Sequence, residues 1–232
     1  MATIQRFFVT GTDTEIGKTR ITAGLLEKAG QLGLQSLGIK PVASGSEMTK
    51  EGLRNEDALA HQKASTYPCD YDVINPFCFA PAIAPHIVAE QENIELTVAT
   101  INEVLKPALS QSAEFVLIEG AGGWHTPLNQ KECYSDWVKS AELPVILVVG
   151  VKLGAINHAL LTQESIQKAG LRLAGWVANC IDRDMPFQQE NIEYLKAHMQ
   201  APCLGVVPFL ANGASAAGYL SLSQLKIRES ND

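Results

Sequence analysis

The residues with the clearest chemistry in this sequence are Gly17, Lys18 and Thr19, which follow an aromatic and β-branched run that ends at Gly11. Glycines allow the N–H groups of a loop to turn toward an anion, and the first turn of a following helix adds its positive end. The lysine then reaches the terminal phosphates of a nucleotide, and the threonine hydroxyl is placed to bind Mg²⁺. This order of residues predicts a phosphate-binding loop (P-loop).

The spacing within this loop departs from the usual one. Five residues separate Gly11 from Gly17, whereas the common pattern has four residues before Gly-Lys-Ser/Thr. Either the loop is a longer variant, or Thr12 stands where the first glycine usually lies. The residues alone leave both possibilities open.

Two charged residues, Lys40 and Glu119, come directly after apolar runs. Turn chemistry favours small or turn-forming residues at such positions, so it does not explain either of them. An acidic residue that closes a buried strand, in a protein with a phosphate loop, is typical of a Mg²⁺-binding carboxylate. The glycines that follow Glu119 allow a ligand to approach the backbone closely. Asp57 is ambiguous, because it could equally be a helix cap or a first-turn acid.

These residues need a scaffold, and the hydrophobic pattern predicts one. Apolar runs typical of strands buried on both faces of a parallel sheet occur at residues 6–10, 36–40, 115–119, 145–151, 173–179 and 204–207. Helical patterns lie between or after them, at residues 18–32, 96–109, 157–169, 185–199 and 221–227, with the last turn of the second in doubt because of Pro107. The alternation predicts an α/β P-loop fold, with a mostly parallel sheet and helices on both faces.

The predicted organisation is a single domain over residues 1–232, in which about 220–232 form a C-terminal helix or tail. The stretch 43–94 is interrupted by prolines and is predicted only as loops and short helices. In open α/β sheets, ligands bind beyond the carboxyl ends of the strands. The loop before Lys18, Lys40 and Glu119 are therefore expected at one edge of the sheet.

Composition narrows the class of protein. A net charge of −7 and a pI near 5.3 argue against a nucleic-acid or anionic-membrane partner, since both require a basic face. Five widely spaced cysteines without a Cys-x-x-Cys pair indicate reduced thiols in a cytosolic protein. No apolar signal segment opens the chain, and no apolar run approaches the ~18 residues of a membrane span. The expectation is a soluble, cytoplasmic protein.

Two other kinds of catalytic site lack support. The five histidines show no metal-ligand spacing and are predicted to be surface groups or to form local hydrogen bonds. The serines lack a Gly-x-Ser-x-Gly elbow, so acyl transfer is not indicated.

The chain resembles the dethiobiotin synthetases from about residue 5 to residue 220. The likeness is carried by four segments: 11–19 (GTDTEIGKT), 40–45 (KPVASG), 119–123 (EGAGG) and 148–158 (VVGVKLGAINH). A spacing of five residues between the first glycine of the loop and Gly-Lys-Thr is typical of this family. The family joins CO₂ to 7,8-diaminononanoate (7,8-diaminopelargonate) with ATP and Mg²⁺, through a carbamate and a carbamic-phosphoric anhydride, to give dethiobiotin, ADP and phosphate. The resemblance thus implies a ligase that forms C–N bonds, and a homodimer.

The resemblance also implies roles for individual residues. Lys40 and Lys18 are implied to be catalytic, Ser44 to contact the substrate, and Thr19, Asp57 and Glu119 to bind Mg²⁺. The implied ATP contacts are Glu15, Ile16, Gly17, Lys18, Thr19, Arg20, Asp57, Glu119, Gly120, Ala121, Gly122, Asn179, Cys180, Pro208, Phe209 and Leu210. The family often has an acidic residue near the ribose, but residues 212–215 offer none. Tyr194, the nearest counterpart of a tyrosine that meets the substrate carboxylate, is about one turn displaced and is not assigned.

Three alternatives share the loop. The first is a GTPase or ATPase switch protein. Those that recognise guanine have the motif Asn-Lys-x-Asp, whereas residues 179–182 of this chain are Asn-Cys-Ile-Asp. Partition-type or metal-cluster-carrying ATPases, which act on a protein partner, carry an additional lysine where this chain has Asp13. Amidation enzymes of corrin synthesis need a glutamine-hydrolysing cysteine domain, for which 232 residues leave no room.

Overall fold

A computed structural model describes residues 4–225 of the chain. Its strands are β1 (Gln5–Gly11), β2 (Ser36–Ile39), β3 (Val42–Ala43), β4 (Glu47–Thr49), β5 (Gly52–Arg54), β6 (Phe77–Cys78), β7 (Phe115–Glu119), β8 (Val145–Val151), β9 (Leu173–Cys180) and β10 (Cys203–Val207). Its α-helices are α1 (Lys18–Gln31), α2 (Glu56–Ala64), α3 (Tyr71–Ile74), α4 (Pro85–Gln91), α5 (Val98–Leu109), α6 (Tyr134–Ser140), α7 (Ala155–Lys168) and α8 (Gln188–His198), and one 3₁₀ turn spans Ala217–Tyr219.

Six strands form one parallel sheet in the order β10-β9-β8-β1-β7-β2. Every neighbouring pair in it is parallel, and β1 lies between β7 and β8. All six strands match the apolar runs in the sequence to within one residue at either end. The predicted α/β fold with a mostly parallel sheet is confirmed. The two small sheets, β3-β6 and β4-β5, lie outside this framework.

The central strands bury both faces, which is why their sequences are apolar rather than alternating. Phe7 and Val9 of β1 face a cluster that includes Ile21 and Leu25 of α1. Phe8 points the other way, into a larger cluster with residues of α5, α6, α7 and α8. Successive side chains of a strand alternate between faces, so one strand supplies both cores and α1 covers a face of its own.

The structure departs from the predicted helices in several places. Helix α5 begins at Val98, two residues later than predicted, but ends at Leu109 as predicted. It continues through Pro107 because a proline this near the end removes a single ladder hydrogen bond while Leu105 and Ala108 stay buried. Helix α8 begins at Gln188, three residues later than predicted. The helix predicted at 221–227 is wrong for residues 221–225, which are not helical; the rest of it, and most of the predicted C-terminal helix or tail, lies outside the described residues.

The proline-rich stretch 43–94 folds over the carboxyl edge of the sheet. It contains α2, α3, α4, the second residue of β3 and the short strands β4, β5 and β6, for which the sequence predicted no positions. Asn55 caps α2, accepting a hydrogen bond from the backbone N–H of Asp57 at 3.0 Å. Pro85 stands at the start of α4, where its missing N–H costs nothing. Within residues 4–225, no helix has the length and apolar character that crossing a membrane requires.

Candidate active site

The loop between β1 and α1 is held in shape from beneath. The Ile16 side chain is fully buried against Gly11 and Gly150, where an added Cβ would lie 2.7 Å and 2.5 Å from it. The Asn179 side chain, at the end of β9, donates from Nδ2 to the Ile16 carbonyl at 2.7 Å. Gly17 has φ of +78°, the left-handed conformation that favours glycine. These contacts within the protein hold the loop in its shape.

Two lysines are tied to the same loop. Lys18 is nearly buried, and its Nζ donates to the Asp13 carbonyl at 3.3 Å. Burial lowers the pKa of Lys18 in spite of the carboxylate of Glu119 nearby. Lys152, which follows β8, pairs with the Asp13 carboxylate at 2.7 Å and lowers the pKa of Asp13. The ammonium group of Lys18 thus contacts the loop backbone, and the ion pair of Lys152 with Asp13 holds the loop from its other side.

A buried charge cluster lies next to the loop and joins three parts of the chain. The Nζ of Lys40 is 2.7 Å from Oε1 of Glu119 and 2.9 Å from Oδ2 of Asp57. Burial by itself would lower the pKa of Lys40 and raise that of Glu119, but the attraction between them outweighs it: the Lys40 pKa is raised, and the Glu119 pKa is held well below its usual range. Both groups are therefore charged.

The hydroxyl of Thr19 completes the set. Its Oγ1 lies 2.5 Å from Oδ1 of Asp57 and 3.2 Å from Oε1 of Glu119. Asp57 sits in the first turn of α2, so it is both the first-turn acid that the sequence suggested and a member of this cluster. The three residues implied as Mg²⁺ ligands are brought together, although they come from α1, α2 and the end of β7.

The donor set fits magnesium. Two carboxylates and a hydroxyl are hard oxygen ligands, and Mg²⁺ is usually held by one or two carboxylates together with nucleotide phosphates and water. Among the described residues there is no group of three or more His, Cys, Asp or Glu side chains that could enclose a metal. The site is suited to a cation that arrives with a nucleotide.

Two residues at the cluster were missed from the sequence. His61 was predicted to be on the surface or locally bonded, and this is wrong: it is fully buried, and its Nε2 lies 3.0 Å from Oε2 of Glu119. Thr22 donates to the same oxygen at 2.8 Å. Their spacing held a signal, because His61 is four residues after Asp57 and Thr22 three after Thr19, which places each pair on one helix face.

Two cavities open at this edge of the sheet and meet at the loop. The first, about 790 Å³, runs along α1 and is called here the α1 cavity. The second, about 980 Å³, extends toward α4 and is called the α4 cavity. Both are lined by Glu15, Gly17, Thr19, Glu56 and Asp57. The shared wall is therefore part of the phosphate loop together with two of the predicted metal ligands, Thr19 and Asp57.

The predicted site residues divide between the cavities. Besides the shared wall, the predicted residues that line the α1 cavity are Arg20, Asn179, Cys180, Phe209 and Leu210. Those that line the α4 cavity are Lys18, Lys40, Ser44, Glu119, Ala121 and Gly122. The guanidinium of Arg20 donates to the carbonyls of Leu210 and Ala211 at 3.1 and 3.3 Å, so it ties α1 to the segment after β10.

A few predicted residues line neither cavity. Ile16 acts as the buried anchor described above, and Gly120 packs on Phe8 while its carbonyl accepts from Lys40 at 3.4 Å. Pro208 is exposed after β10. Tyr194 is on the outer side of α8, where its ring stacks on His198 with centroids 3.8 Å apart.

One acidic residue in the α1 cavity was not expected. Residues 212–215 lack a carboxylate, but Glu27 of α1 also lines this cavity and accepts a hydrogen bond from Ser215. An acceptor for a nucleotide sugar is thus available from the helix rather than from the loop.

Comparisons with solved structures agree on the fold. The septum-site protein MinD from Pyrococcus horikoshii, complexed with Mg-ADP, superimposes with a TM-score of 0.53 at 20% identity, over 89% of this chain and 81% of that one. Chloroplast FtsY from Physcomitrella patens gives a TM-score of 0.52 at 18% identity, over 97% and 64%. At these identities the likeness concerns the fold alone. Fold and loop together define the chain as a P-loop α/β protein.

Sequence comparisons reach further. A family model described as an AAA domain matches residues 5–215. The ATP-dependent dethiobiotin synthetase of Cellvibrio japonicus is 51% identical over 221 residues, which is 94% of this chain and 96% of that protein. The same-named enzyme of Salmonella typhimurium is 50% identical over 225 residues, or 96% and 98%. The chain belongs to the dethiobiotin synthetase family. The resemblance found in the sequence, and the ligase class it implied, are confirmed.

Proposed function

We propose that this protein closes the ureido ring of dethiobiotin, joining CO₂ to 7,8-diaminononanoate with ATP and Mg²⁺. The observation that carries the proposal is the pair of cavities that share the phosphate loop as a wall. A nucleotide in the α1 cavity would place its terminal phosphate beside the α4 cavity, where the diamine would bind. The identity of the relatives supports the choice of substrates.

The reaction has three balanced steps. One amine of the substrate attacks CO₂ and loses a proton, which gives a carbamate anion. A carbamate oxygen attacks the γ-phosphorus and ADP leaves, which gives the carbamic-phosphoric anhydride. The second amine attacks the carbonyl carbon and loses a proton, and phosphate leaves as the ring closes. In the second step an anion must meet a phosphate that is already negative, so catalysis is mostly positioning and neutralisation of charge.

The two lysines of the site, Lys18 and Lys40, could neutralise this negative charge. We assign Lys18 to the β- and γ-phosphates; the assignment is supported by its Nζ, which donates to the Asp13 carbonyl of the loop at 3.3 Å. Lys40 lines the α4 cavity and is buried, so its charge acts in a medium of low dielectric. We assign Lys40 to the carbamate and to the charge that moves between it and the γ-phosphate. Ser44, which lines the same cavity, is assigned to the diamine.

Thr19, Asp57 and Glu119 would hold magnesium together with phosphate oxygens. The ion would neutralise charge on the β- and γ-phosphates when bound. We assign the adenine end of ATP to Asn179, Cys180, Pro208, Phe209 and Leu210, of which all but Pro208 line the α1 cavity.

We further propose a homodimer in the cytoplasm. The surface formed by α7, α8 and their preceding loops exposes four large apolar side chains, which a second copy would cover: Leu153, Leu161, Phe187 and Tyr194. All five cysteines are free thiols, which suits a reducing compartment. Light scattering of the purified chain, compared with Leu153→Glu, tests the dimer: a monomer for both proteins would refute it.

The deciding experiment is an assay with the purified protein. With ATP, Mg²⁺, bicarbonate and 7,8-diaminononanoate we expect dethiobiotin by mass spectrometry, with one ADP released per ring closed. A protein that hydrolyses ATP without regard to the diamine, and forms no dethiobiotin, would instead fit a switch or partition-type ATPase.

A further inference from the structure

We propose that His61 is a positioning residue, which holds one oxygen of Glu119 so that the other faces Thr19, Lys40 and the magnesium of the bound nucleotide. The inference rests on the proposed function, because it assigns a purpose to a contact at the proposed metal site.

The two oxygens of Glu119 have separate partners. Oε2 lies 3.0 Å from Nε2 of His61 and 2.8 Å from Oγ1 of Thr22. Oε1 lies 2.7 Å from Nζ of Lys40 and 3.2 Å from Oγ1 of Thr19. A carboxylate that was free to rotate would offer either oxygen to either side. Here the contacts on Oε2 fix the plane of the group and leave Oε1 as the oxygen directed at the site.

The hydrogen-bond partner of the imidazole shows which ring nitrogen carries the hydrogen of that bond. An ionised carboxylate only accepts hydrogen bonds, so Nε2 carries the hydrogen and donates it to Oε2. The other ring nitrogen, Nδ1, is buried and has no hydrogen-bond partner among the described residues. Burying a polar atom without a partner costs free energy, and an apolar side chain of similar size would avoid that cost. Among the described residues, the contact with Glu119 is therefore the hydrogen bond that a histidine makes here and an apolar side chain would not.

The fold also makes room for the ring. Gly38 of β2 faces His61, and a Cβ on that glycine would lie 2.9 Å from the Cβ and 3.3 Å from the Cγ of the histidine. The histidine is four residues after Asp57 on α2, so both project from the same helix face. Helix α2 therefore supplies Asp57 as one proposed metal ligand and, through His61, orients Glu119 as another.

A direct test is metal binding, measured apart from turnover. Mn²⁺ serves as the probe, and its free concentration is followed by electron paramagnetic resonance in the presence of a non-hydrolysable ATP analogue. We compare the parent chain with His61→Leu, which fills the space without a donor, and His61→Gln, whose amide nitrogen restores one. The matched control is Gln62→Leu, because Gln62 is the next residue of α2 and bonds the carbonyl of Cys69 at 3.1 Å, away from the site.

We expect His61→Leu to weaken Mn²⁺ binding about 10- to 100-fold, the usual effect of removing a group that orients a metal ligand. His61→Gln should recover most of the loss, and Gln62→Leu should match the parent chain. The Mg²⁺ concentration for half-maximal turnover should shift in the same order. Thermal unfolding checks that each variant is folded; if His61→Leu is not, Thr22→Val removes the other donor to Oε2 and should weaken binding in the same direction.

The outcomes separate this inference from the proposed function. If the parent chain does not bind Mn²⁺ with the nucleotide, the proposed metal site itself is wrong. If the parent chain binds it and a folded His61→Leu binds it equally well, only the positioning role is refuted. An equal loss in the Leu and Gln variants would mean that the ring acts by its shape, which also refutes positioning through the hydrogen bond.

Discussion

The ammonium group of Lys40 lies 2.7 Å from Oε1 of Glu119, and both side chains are almost completely shielded from water. Removing two charges from water is expensive, so such a pair forms only where geometry and further hydrogen bonds compensate. Here Asp57, Thr19, Thr22 and His61 provide them. The pair joins the end of β2 to the end of β7, neighbouring strands whose sequences are far apart in the chain.

Replacing Lys40 with alanine should reduce kcat by about 10²-fold or more, because its charge is expected to act mainly in the transition state. ATP binding should be mostly kept, since the loop and Lys18 remain. Steady-state kinetics and a separate ATP titration measure the two effects. Lys106→Ala is a suitable control, as its ion pair with Glu103 is exposed on α5. Near-normal turnover in Lys40→Ala would remove the residue from the reaction.

Replacing Glu119 with glutamine should raise the Mg²⁺ concentration needed for half-maximal turnover. The amide keeps the shape of the side chain but loses the charge that attracts the cation. A titration of activity against Mg²⁺ at saturating ATP measures the shift. If the curve is unchanged while the protein remains folded, Glu119 does not belong to the metal shell.

The pKa shifts predict how stability depends on pH. The folded-state pKa of Glu119 is below its ordinary value of 4.5, so its contribution is present above pH 4.5 and is lost as the pH falls below it. The folded-state pKa of Lys40 is above its ordinary value of 10.5, so its contribution is present below pH 10.5 and is lost as the pH rises beyond it. We expect a stability plateau between these limits.

Melting temperatures measured across this pH range test the pair. In Lys40→Met, burial of Glu119 is no longer offset by the ammonium group, so the folded-state pKa of Glu119 should rise and the loss of stability below pH 4.5 should become smaller than in the parent chain. A loss of the same size in the parent chain and in Lys40→Met would show that the pair does not control it.

Replacing Gly17 with alanine should weaken nucleotide binding and destabilise the fold by about 1–3 kcal/mol. The backbone at Gly17 is left-handed, and a Cβ would lie 2.4 Å from Nδ2 of Asn179, the group that holds the loop. Gly33→Ala is the matched control, because Gly33 has a φ of +83° but no heavy atom within 4 Å of the added Cβ. Denaturant unfolding and ATP titration measure both effects. Equal losses in the two variants would mean that the contact with Asn179 is unimportant.

Much of the framework could be predicted because its signals are local. A strand buried on both faces must be apolar along its whole length, so β7 and β8 were predicted at their observed bounds. A loop that holds phosphate needs glycine, lysine and threonine in order, so the start of α1 was also predictable. Lys40 and Glu119 stood out as charges at the ends of apolar runs.

The stretch 43–94 could not be predicted in this way. Its helices are short, and short helices are stabilised by tertiary packing rather than by their own propensity. Helix α2 has a weakly amphipathic sequence, yet Ala58 and His61 are fully buried. The role of Asp57 was ambiguous for the same reason, because a first-turn acid is common whether or not it meets another element.

Neighbouring residues in the sequence were enough to predict the alternation of strands and helices, the phosphate loop and the two charged strand ends. The contacts of Asp57, Thr19 and Lys40 with one another and with Glu119, the burial of His61 against Glu119 and the two cavities that share the loop became visible only in the folded chain. Those contacts join residues from separate elements, and their positions depend on how the elements pack. Local pattern assigns a residue to a strand end or a helix face, but it does not give the contacts between separate elements.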